Sequence, residues 1–208
     1  MDRRSLADRR PGSSAQDRTT GGRRDGGGLR FRPAAAAAWL GLPASETVDR
    51  RIPLEAFWGA DARRVAAQAS EARDIGARVR AIESALTRRA PSIPARLPDM
   101  HAAFELLATG APPGKALIPW LAGELALSER TLRRRFDAAF GYGPKTLDRI
   151  LRFQRFLKLL RGGRDGSTAG LAMEAGYADQ AHLGRESRRL AVTTPQRIVA
   201  LLADRPTQ

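Results

Sequence analysis

The sequence predicts a mainly α-helical fold in which two helix-turn-helix units are joined by a long linker helix. A truncated, largely helical N-terminal region and a disordered basic tail precede these units. Three observations support this prediction: the chain repeats itself beyond residue 114, apolar residues recur every three or four positions, and Pro or Gly separates the periodic segments. Residues three and four apart share one face of an α-helix, so this spacing favours helices over strands.

The composition restricts the class of function. The 208 residues include 36 Lys and Arg, 22 Asp and Glu, two His and no Cys, which gives a formal net charge of +14. Without Cys the chain has no disulfides, no thiolate metal site and no thiol nucleophile, and two His are too few for a multi-His metal centre. We therefore predict no catalytic residues, no metal and no cofactor. The positive charge favours a polyanionic partner.

The N-terminus has none of the features of a secretory or membrane segment. No run of 18 apolar residues occurs, and a transmembrane helix needs about that many. Residues 1–28 instead contain seven Arg, four Asp and six Gly. Such a segment buries too little apolar surface to fold, so we predict a disordered basic tail rather than a DNA-contacting arm. The expected location of the protein is the cytoplasm, at the nucleoid.

Residues 29–59 are expected to form two short helical elements. Pro33 suits the first position of a helix, and the alanine run after it ends before Gly41, a residue typical of the position after a helix. An apolar cluster around Trp58, closed by Gly59, predicts the second element. No alternation typical of a strand is present here.

A long amphipathic helix is predicted over residues 61–90. Asp61 is a suitable N-cap, and Ala90 precedes a proline, which disfavours further helix. One apolar stripe follows its length at spacings of three and four, formed by Val65, Ala69, Ala72, Ile75, Val79, Ile82 and Leu86. Two outcomes stay open: the stripe packs within its own chain, or it forms a homodimer with a second chain through residues 61–90.

A proline-rich linker follows, and the next helix is expected to begin after a cap at Asp99. Met100 and the apolar residues that follow it at helical spacing face the core, and Gly110 stops the helix. His101 lies beside this stripe and is predicted to be an exposed histidine rather than a ligand.

The chain then repeats itself. Residues 121–127 correspond to residues 171–177 at an offset of 50, and Leu132 corresponds to Leu183 at an offset of 51. Each copy has the plan of a helix-turn-helix: a short helix with a small Ala, a turn that places an apolar residue inward, and a second helix. The second copy has one more residue in its turn.

The second helix of the first copy concentrates positive charge. Ser128 is a suitable N-cap, and Leu132 and Phe136, four residues apart, face the core. This leaves five polar residues outward: Arg130, Thr131, Arg133, Arg134 and Arg135. Like charges on one helix repel by a few tenths of a kcal/mol per pair, so this pattern suits contact with phosphates and base edges better than a structural role.

A linker helix is predicted from Pro144 to about Arg161. Its apolar face includes Leu147, Leu151 and Leu157, and its expected surface residues are Lys145, Arg149, Arg152, Arg155 and Lys158. A helix of 18 residues spans roughly 27 Å at about 1.5 Å per residue. It can hold two recognition helices about 34 Å apart, in successive major grooves on one face of DNA.

These segments resemble a known family. The stretches LSERTLRRRF, GYGPKTL, RFQRF and EAGYADQAHL occupy residues 127–136, 141–147, 152–156 and 174–183. They resemble the DNA-binding domain of AraC/XylS-type bacterial transcriptional regulators, and the resemblance covers residues 98–203. Residues 29–59 also resemble the end of the sensory domain that precedes this module in one subgroup.

The resemblance implies a promoter-binding regulator whose partners are double-stranded DNA and RNA polymerase. The base-reading positions of the family correspond to Arg130, Arg133 and Arg134 in the first unit and to Gln180, Ala181, His182, Gly184 and Arg185 in the second. Thr131, Lys145 and Arg149 complete the predicted DNA-binding set. An arginine bound to guanine through two hydrogen bonds contributes about 1–3 kcal/mol of discrimination. Any one of these arginines could instead contact a phosphate, which positions the protein without reading the sequence.

Three departures from the family pattern stand out. Ala126 occupies the position of a turn Gly, Val192 occupies that of another Gly, and Ser187 stands where the family has an aromatic residue and the first copy has Phe136. Removal of a buried Phe side chain costs about 3–5 kcal/mol in comparable cores. Ala126 affects only the turn of the first unit, whereas Ser187 and Val192 both lie in the second. These two departures predict that the second unit is loosely packed and that the first supplies most of the specificity.

The N-terminal region is short for a sensory domain of this family. About 30 residues lie between the predicted tail and the long helix, too few for the β-barrel that the resemblance implies. We therefore predict three parts: a tail over residues 1–28, a remnant of the sensory domain over residues 29–97, and the bipartite DNA-binding domain over residues 98–203.

A second function is consistent with the same charge. A non-specific, basic nucleic-acid-binding remnant of such a regulator would also bind DNA, and a damaged second unit would favour it. Both kinds of binder lose affinity as salt rises, but only a specific binder keeps a preference among sequences.

Overall fold

The computed structural model describes residues 29–93, 98–162 and 167–203, so the predicted tail over residues 1–28 lies outside the described residues. Within these three ranges the regular secondary structure is helical and includes no strand, which confirms the mainly α-helical fold. In the same ranges, no helix combines the length and apolar character that crossing a membrane requires.

The N-terminal region contains four α-helices and two 3-10 turns. They are α1 (Ala36–Leu40), a 3-10 turn (Ala44–Glu46), α2 (Glu55–Trp58), α3 (Ala60–Glu71), α4 (Ile75–Arg89) and a 3-10 turn (Ala90–Ser92). Helix α1 ends at Gly41 as predicted, but it begins after Pro33 because Ala34 has a left-handed φ of +62° that no α-helix accommodates.

The prediction of one long helix over residues 61–90 is wrong. Helix α3 ends at Glu71 because Ala72 is extended, with a ψ of 129°. Helix α4 then starts at a new N-cap, where the carboxylate of Asp74 accepts a hydrogen bond of 2.7 Å from the backbone N–H of Ala77. The capping strength of Asp74 therefore outweighs the periodicity that continues across it.

The break also divides the predicted apolar stripe. Helices α3 and α4 pack against each other, and this packing buries Val65 of α3 and Ala85 of α4. Ile75 and Val79, in the first half of α4, remain 56% and 44% exposed. Part of the apolar stripe is thus buried by packing within the chain, and part of it remains exposed to solvent.

The remaining helices follow the predicted plan closely. They are α5 (Pro98–Thr109), α6 (Leu117–Glu124), α7 (Glu129–Phe140), α8 (Pro144–Arg161), α9 (Thr168–Glu174), α10 (Gln180–Ala191) and α11 (Pro195–Ala203). Asp99 lies in the first turn of α5 rather than before it. Helix α8 has the predicted limits and 18 residues.

Two hydrophobic cores lie along α8. The first surrounds Phe136 and includes Leu147 and Leu151 from the first half of α8. The second includes Phe153 and Phe156, both from the second half of α8. One helix therefore belongs to both units and joins them without an intervening loop.

The N-terminal region packs against the first unit. The 3-10 turn Ala44–Glu46 and helix α1 both contact α7. One close approach is at Gly141, just after α7, where an added Cβ would overlap the side chain of Val48 and lie 3.1 Å from the carbonyl oxygen of Ala44. Gly141 also has a left-handed φ of +80°, so both the backbone and the contact require glycine.

In the two units, Ala126 and Val192 carry side chains at left-handed positions. Ala126, in the turn of the first unit, has a φ of +52° where the second unit has Gly176 at +92°. Val192, after α10, has a φ of +54° where the first unit has Gly141. Both predicted departures from glycine therefore place an L-residue in a backbone conformation that costs about 1–2 kcal/mol.

Substitution Val192→Gly should raise the free energy of unfolding by about 1 kcal/mol, because it relieves this conformation while Val192, at 91% exposed, gives up almost no buried surface. Chemical denaturation measures the change. The control is Ala191→Gly at the end of α10, which adds the same flexibility without relieving strain and should destabilise by about 0.5–1 kcal/mol. A V192G protein no more stable than the parent chain would contradict the interpretation.

Candidate nucleic-acid interface

The two helix-turn-helix units are built alike. Helices α7 and α10 each contain 12 residues and begin at a side-chain cap. The hydroxyl of Ser128 accepts a hydrogen bond of 3.2 Å from the N–H of Thr131, and the carboxylate of Asp179 accepts one of 2.5 Å from the N–H of His182. The two caps lie 51 positions apart, which agrees with the offset found in the sequence.

The turns before these helices share one backbone contact. In the first unit the N–H of Leu127 donates to the carbonyl of Ala122, and in the second the N–H of Tyr177 donates to the carbonyl of Ala172, both at 2.9 Å. Ala122 and Ala172 are buried, so a small residue does lie where the helices cross. The turn thereby fixes how each second helix projects from its unit.

Helix α7 presents arginine at its surface. Arg130, Arg133 and Arg134 are exposed, as predicted. Arg133 forms an ion pair of 3.0 Å with Glu129 one turn earlier, in which both side chains are largely exposed. Within the described residues, Arg130 and Arg134 form no ion pair. Thr131 is half-buried, and its hydroxyl accepts a hydrogen bond of 3.0 Å from Ser128.

Arg135 does not point outward with the others, so that prediction is wrong. Its guanidinium forms an ion pair with Asp99 of α5, whose side chain is only 19% exposed. The pair fastens α7 to α5. Position 135 lies near the buried side of α7, next to Phe136, which is why a charge here turns toward a neighbouring helix.

Helix α10 presents fewer charges at the corresponding positions. Gln180, Ala181 and Arg185 are exposed. The ring of His182 is half-buried and meets the ring of Tyr177 edge-on, with 5.3 Å between centroids. Gly184 is half-buried, and the nearest atom to an added Cβ would be a guanidinium nitrogen of Arg188 at 4.0 Å.

The linker helix contributes Lys145 to the same surface as α7. Lys145 is exposed at the start of α8. It lines a cavity of about 250 Å³ together with Arg133, with Gly143, which precedes α8, and with Pro144 and Thr146 in its first turn. The structure therefore brings two of the predicted residues, Arg133 and Lys145, to the positive end of a helix, where an anion is stabilised.

Arg149, Arg152 and Arg155 are not free surface residues, contrary to the prediction. Arg149 forms an ion pair of 2.6 Å with Glu186 of α10, and Arg152 forms one of 2.5 Å with the buried Asp148. Arg155 donates a hydrogen bond of 3.1 Å to the carbonyl of Ala108 at the end of α5. The long side chains of α8 are therefore used to hold neighbouring helices in place.

The two interhelical ion pairs occupy equivalent positions with opposite polarity. Asp99 and Arg149 lie 50 residues apart, and Arg135 and Glu186 lie 51 apart, the same offsets as the repeat. In each unit the pair joins the recognition helix to the helix that precedes the motif. The prediction from sequence missed both pairs, although extending the repeat to charged positions would have indicated them.

The second core buries two hydroxyls at positions where the first core has apolar side chains. Ser187 is fully buried, and neither its Oγ nor the hydroxyl of Tyr177 has a hydrogen-bond partner within the described residues. The equivalent positions of the first unit hold Phe136 and Leu127. Burial raises the pKa of Tyr177 to about 12. Unpartnered buried hydroxyls reduce stability, which supports the prediction of a less stable second unit.

Comparison with known proteins agrees with this geometry. Residues 121–200 match a family model described as a helix-turn-helix domain. This range begins in α6 and extends into α11, so it includes both recognition helices and all of α8. No curated protein and no solved structure was found to match the chain.

Loss of either partner of the Arg149–Glu186 pair should lower the free energy of unfolding by about 2–3 kcal/mol, because the remaining charge is 13–22% exposed and lacks a partner. The double variant Arg149→Glu/Glu186→Arg should restore most of this loss, since it reproduces the polarity of the first unit. Chemical denaturation of the parent chain, Arg149→Ala, Glu186→Ala and Arg149→Ala/Glu186→Ala gives the coupling energy, and the charge-swapped variant is measured beside them.

The exposed pair Glu129–Arg133 is the control for this cycle. Glu129→Ala should cost less than about 0.5 kcal/mol, as is usual for exposed helical pairs. Additive effects of Arg149→Ala and Glu186→Ala would show that the two side chains do not interact.

Substitution Ser187→Ala should slow hydrogen exchange of the α10 amides by about fivefold, because it removes a buried hydroxyl without a partner and so stabilises the unit by about 1 kcal/mol. The α7 amides of the same sample are the internal control and should change less. Equal protection of residues 179–190 and 128–137 in the parent chain would contradict the weaker packing of the second unit.

Proposed function

We propose that the protein is an AraC-type transcriptional regulator that reads promoter DNA sequence-specifically, because residues 121–200 match a family model described as a helix-turn-helix domain. In this proposal α7 and α10 are the recognition helices and enter successive major grooves. The observation that supports it most directly is the exposed cluster Arg130, Arg133 and Arg134 on α7. Exposed arginines at the start of a recognition helix are suited to guanine and to phosphates.

The surroundings of this cluster favour a bound phosphate. Lys145 and the N-terminus of α8 share a cavity with Arg133, and both stabilise negative charge. We assign Lys145 and Arg133 to the DNA backbone at this point, and Arg130 and Arg134 to base edges. A phosphate held at the start of α8 would fix the register of α7 in its groove.

Helix α8 supports the proposed spacing. Its 18 residues span roughly 27 Å, and both cores are packed on it, so the two recognition helices are held by one rigid element. Two major grooves on one face of DNA lie about 34 Å apart. Arg149 was predicted to contact DNA, and its ion pair with Glu186 supports a different role, that of orienting α10.

The two units would contribute unequally to recognition. Ala181 and Gly184 of α10 stand where α7 has Arg130 and Arg133, and only Arg134 has an arginine counterpart, Arg185. In the second unit we propose that Gln180 and Arg185 contact bases while Ala181, His182 and Gly184 allow close approach of the backbone. Most of the charge, and hence most of the affinity, would come from the first unit.

Contact with RNA polymerase belongs to the same proposal, because a regulator bound at a promoter acts on transcription through the polymerase or its access to DNA.

The alternative function, non-specific binding of nucleic acid, is favoured by the buried hydroxyls and the left-handed Val192 in the second unit. Selection of DNA sequences distinguishes the two functions.

Selection of bound fragments from a random duplex pool should enrich a motif two half-sites long at about 150 mM salt. In the double variant Arg130→Ala/Arg134→Ala the motif should lose information at specific positions within one half-site, because these are the side chains of α7 assigned to base edges. The control is Arg80→Ala/Arg88→Ala, which removes the same charge from the exposed face of α4 and should leave the motif unchanged.

The remaining outcomes of the selection are equally informative. A motif of one half-site would place recognition in the first unit alone. Binding without any motif, which weakens uniformly as salt rises, would contradict sequence-specific recognition and establish the non-specific function.

We also propose that the chain forms a homodimer through α4, where Ile75 and Val79 lie one turn apart and are 56% and 44% exposed. Light scattering should give the mass of a dimer for the parent chain and of a monomer for Ile75→Lys/Val79→Lys. Leu201→Lys, at a residue that is 55% exposed on α11, is the control and should stay dimeric. A monomeric parent chain would contradict the proposal.

A further inference from the structure

A cavity of about 620 Å³ lies between the N-terminal region and the first recognition helix. Its walls come from α1 and the segment after it, from the end of α4 with the 3-10 turn that follows, and from the last turns of α7. This volume is within the range of about 300–1,000 Å³ that small-molecule sites occupy. The cavity lies at the opposite end of α7 from the exposed arginines.

The lining of the cavity is apolar apart from Ser92 and one charged residue. Six alanines, two of them Ala138 and Ala139 of α7, form much of its wall together with Trp39, Leu42, Pro43 and Ile93. Arg89, at the end of α4, is the only charged residue among the described residues that line it. An apolar cavity with one convergent charged group is typical of a site for an amphipathic ligand.

Arg89 has no hydrogen-bonded acceptor within the described part of the chain. Its nearest carboxylate, that of Asp61, lies 3.8 Å away, beyond hydrogen-bond distance, and is itself hydrogen-bonded to Arg64. The Nε of Arg89 is buried and has no partner. A buried guanidinium donor without an acceptor is unfavourable, so an anion that supplies the acceptor would be bound strongly.

Arg89 is held in this position by aromatic contacts. Its guanidinium lies over the ring of Trp58, 5.1 Å from the centroid. The indole N–H of Trp58 in turn donates a hydrogen bond of 3.0 Å to the carbonyl of Trp39, a residue of the cavity wall. The planar face of the guanidinium is thus held beside the cavity by the ring of Trp58. The N–H groups at its edge remain available as hydrogen-bond donors.

We propose that this cavity binds a small organic carboxylate, whose charged group pairs with Arg89 and whose apolar, aromatic body lies among the alanines and against Trp39. A carboxylate matches the planar guanidinium and accepts two parallel hydrogen bonds from it. A neutral ligand of the same shape would leave the arginine without an acceptor. The bound molecule would contact α1, α4 and α7 at once.

The test measures binding to the full chain in the absence of DNA, so its outcome is independent of the proposed sequence recognition. Naphthalene-2-acetate is the probe, and naphthalene-2-acetamide, with the same apolar body and no charge, is its matched control. Isothermal titration calorimetry should show saturable binding of the acid and at least tenfold weaker binding of the amide.

Two variants locate the site. Arg89→Gln should weaken binding of the acid at least tenfold, to the level of the amide, whereas Arg88→Gln, an exposed neighbour with the same change of charge, should leave it unchanged. Ala138→Leu fills the cavity from α7 and should weaken binding of both compounds. Circular dichroism of each variant verifies that it is folded.

Several results would overturn the proposal. They are no saturable binding of the acid to the parent chain, equal affinity for acid and amide, or equal losses in the two arginine variants. Unchanged affinity in folded Ala138→Leu would place any binding outside this cavity.

Discussion

The relative position of helices α7 and α10 depends on one element, helix α8, which packs into both hydrophobic cores. Leu147 and Leu151 belong to the first core, and Phe153 and Phe156 belong to the second. Since the same continuous helix contributes to each, one unit cannot rotate relative to the other without disrupting a core. The hydrogen bond from Arg155 to Ala108 adds a third attachment, between α8 and the end of α5. The two units are therefore joined by a rigid helix rather than by a linker whose length can vary.

Interhelical ion pairs complete this arrangement. Each recognition helix is fastened to the helix before its motif by one partly buried pair, Asp99–Arg135 in the first unit and Arg149–Glu186 in the second. The acidic and basic partners are exchanged between the two units. The architecture therefore requires an ion pair at this place, whichever helix carries the positive charge. It also explains why some of the basic residues in a strongly basic chain are not available to DNA.

Much of this architecture could be predicted from sequence because its signals are local. The cap at Ser128 and the apolar residues four apart act over a few residues, and the offset of the repeat then indicates the second unit. Helices α6 to α10 form where these features predicted them. The ion pairs join residues 36 and 37 positions apart, and local patterns carry no information about such contacts.

The break at Ala72 was missed for another reason: the cap at Asp74 interrupts a periodicity that continues through it. The cavity was also beyond local prediction, because three separated segments form it.

The contact at Gly141 limits how far the first recognition unit can be treated as an interchangeable module. Val48 and Ala44 approach its backbone so closely that no side chain fits, and the same glycine terminates α7. A chimera that grafted α6 and α7 onto another regulator would leave the end of the recognition helix without the surface on which it is packed. A transplanted α7 would therefore keep its packing only if residues 44–48 were transferred with it, even though they lie 80 or more positions before it in the chain.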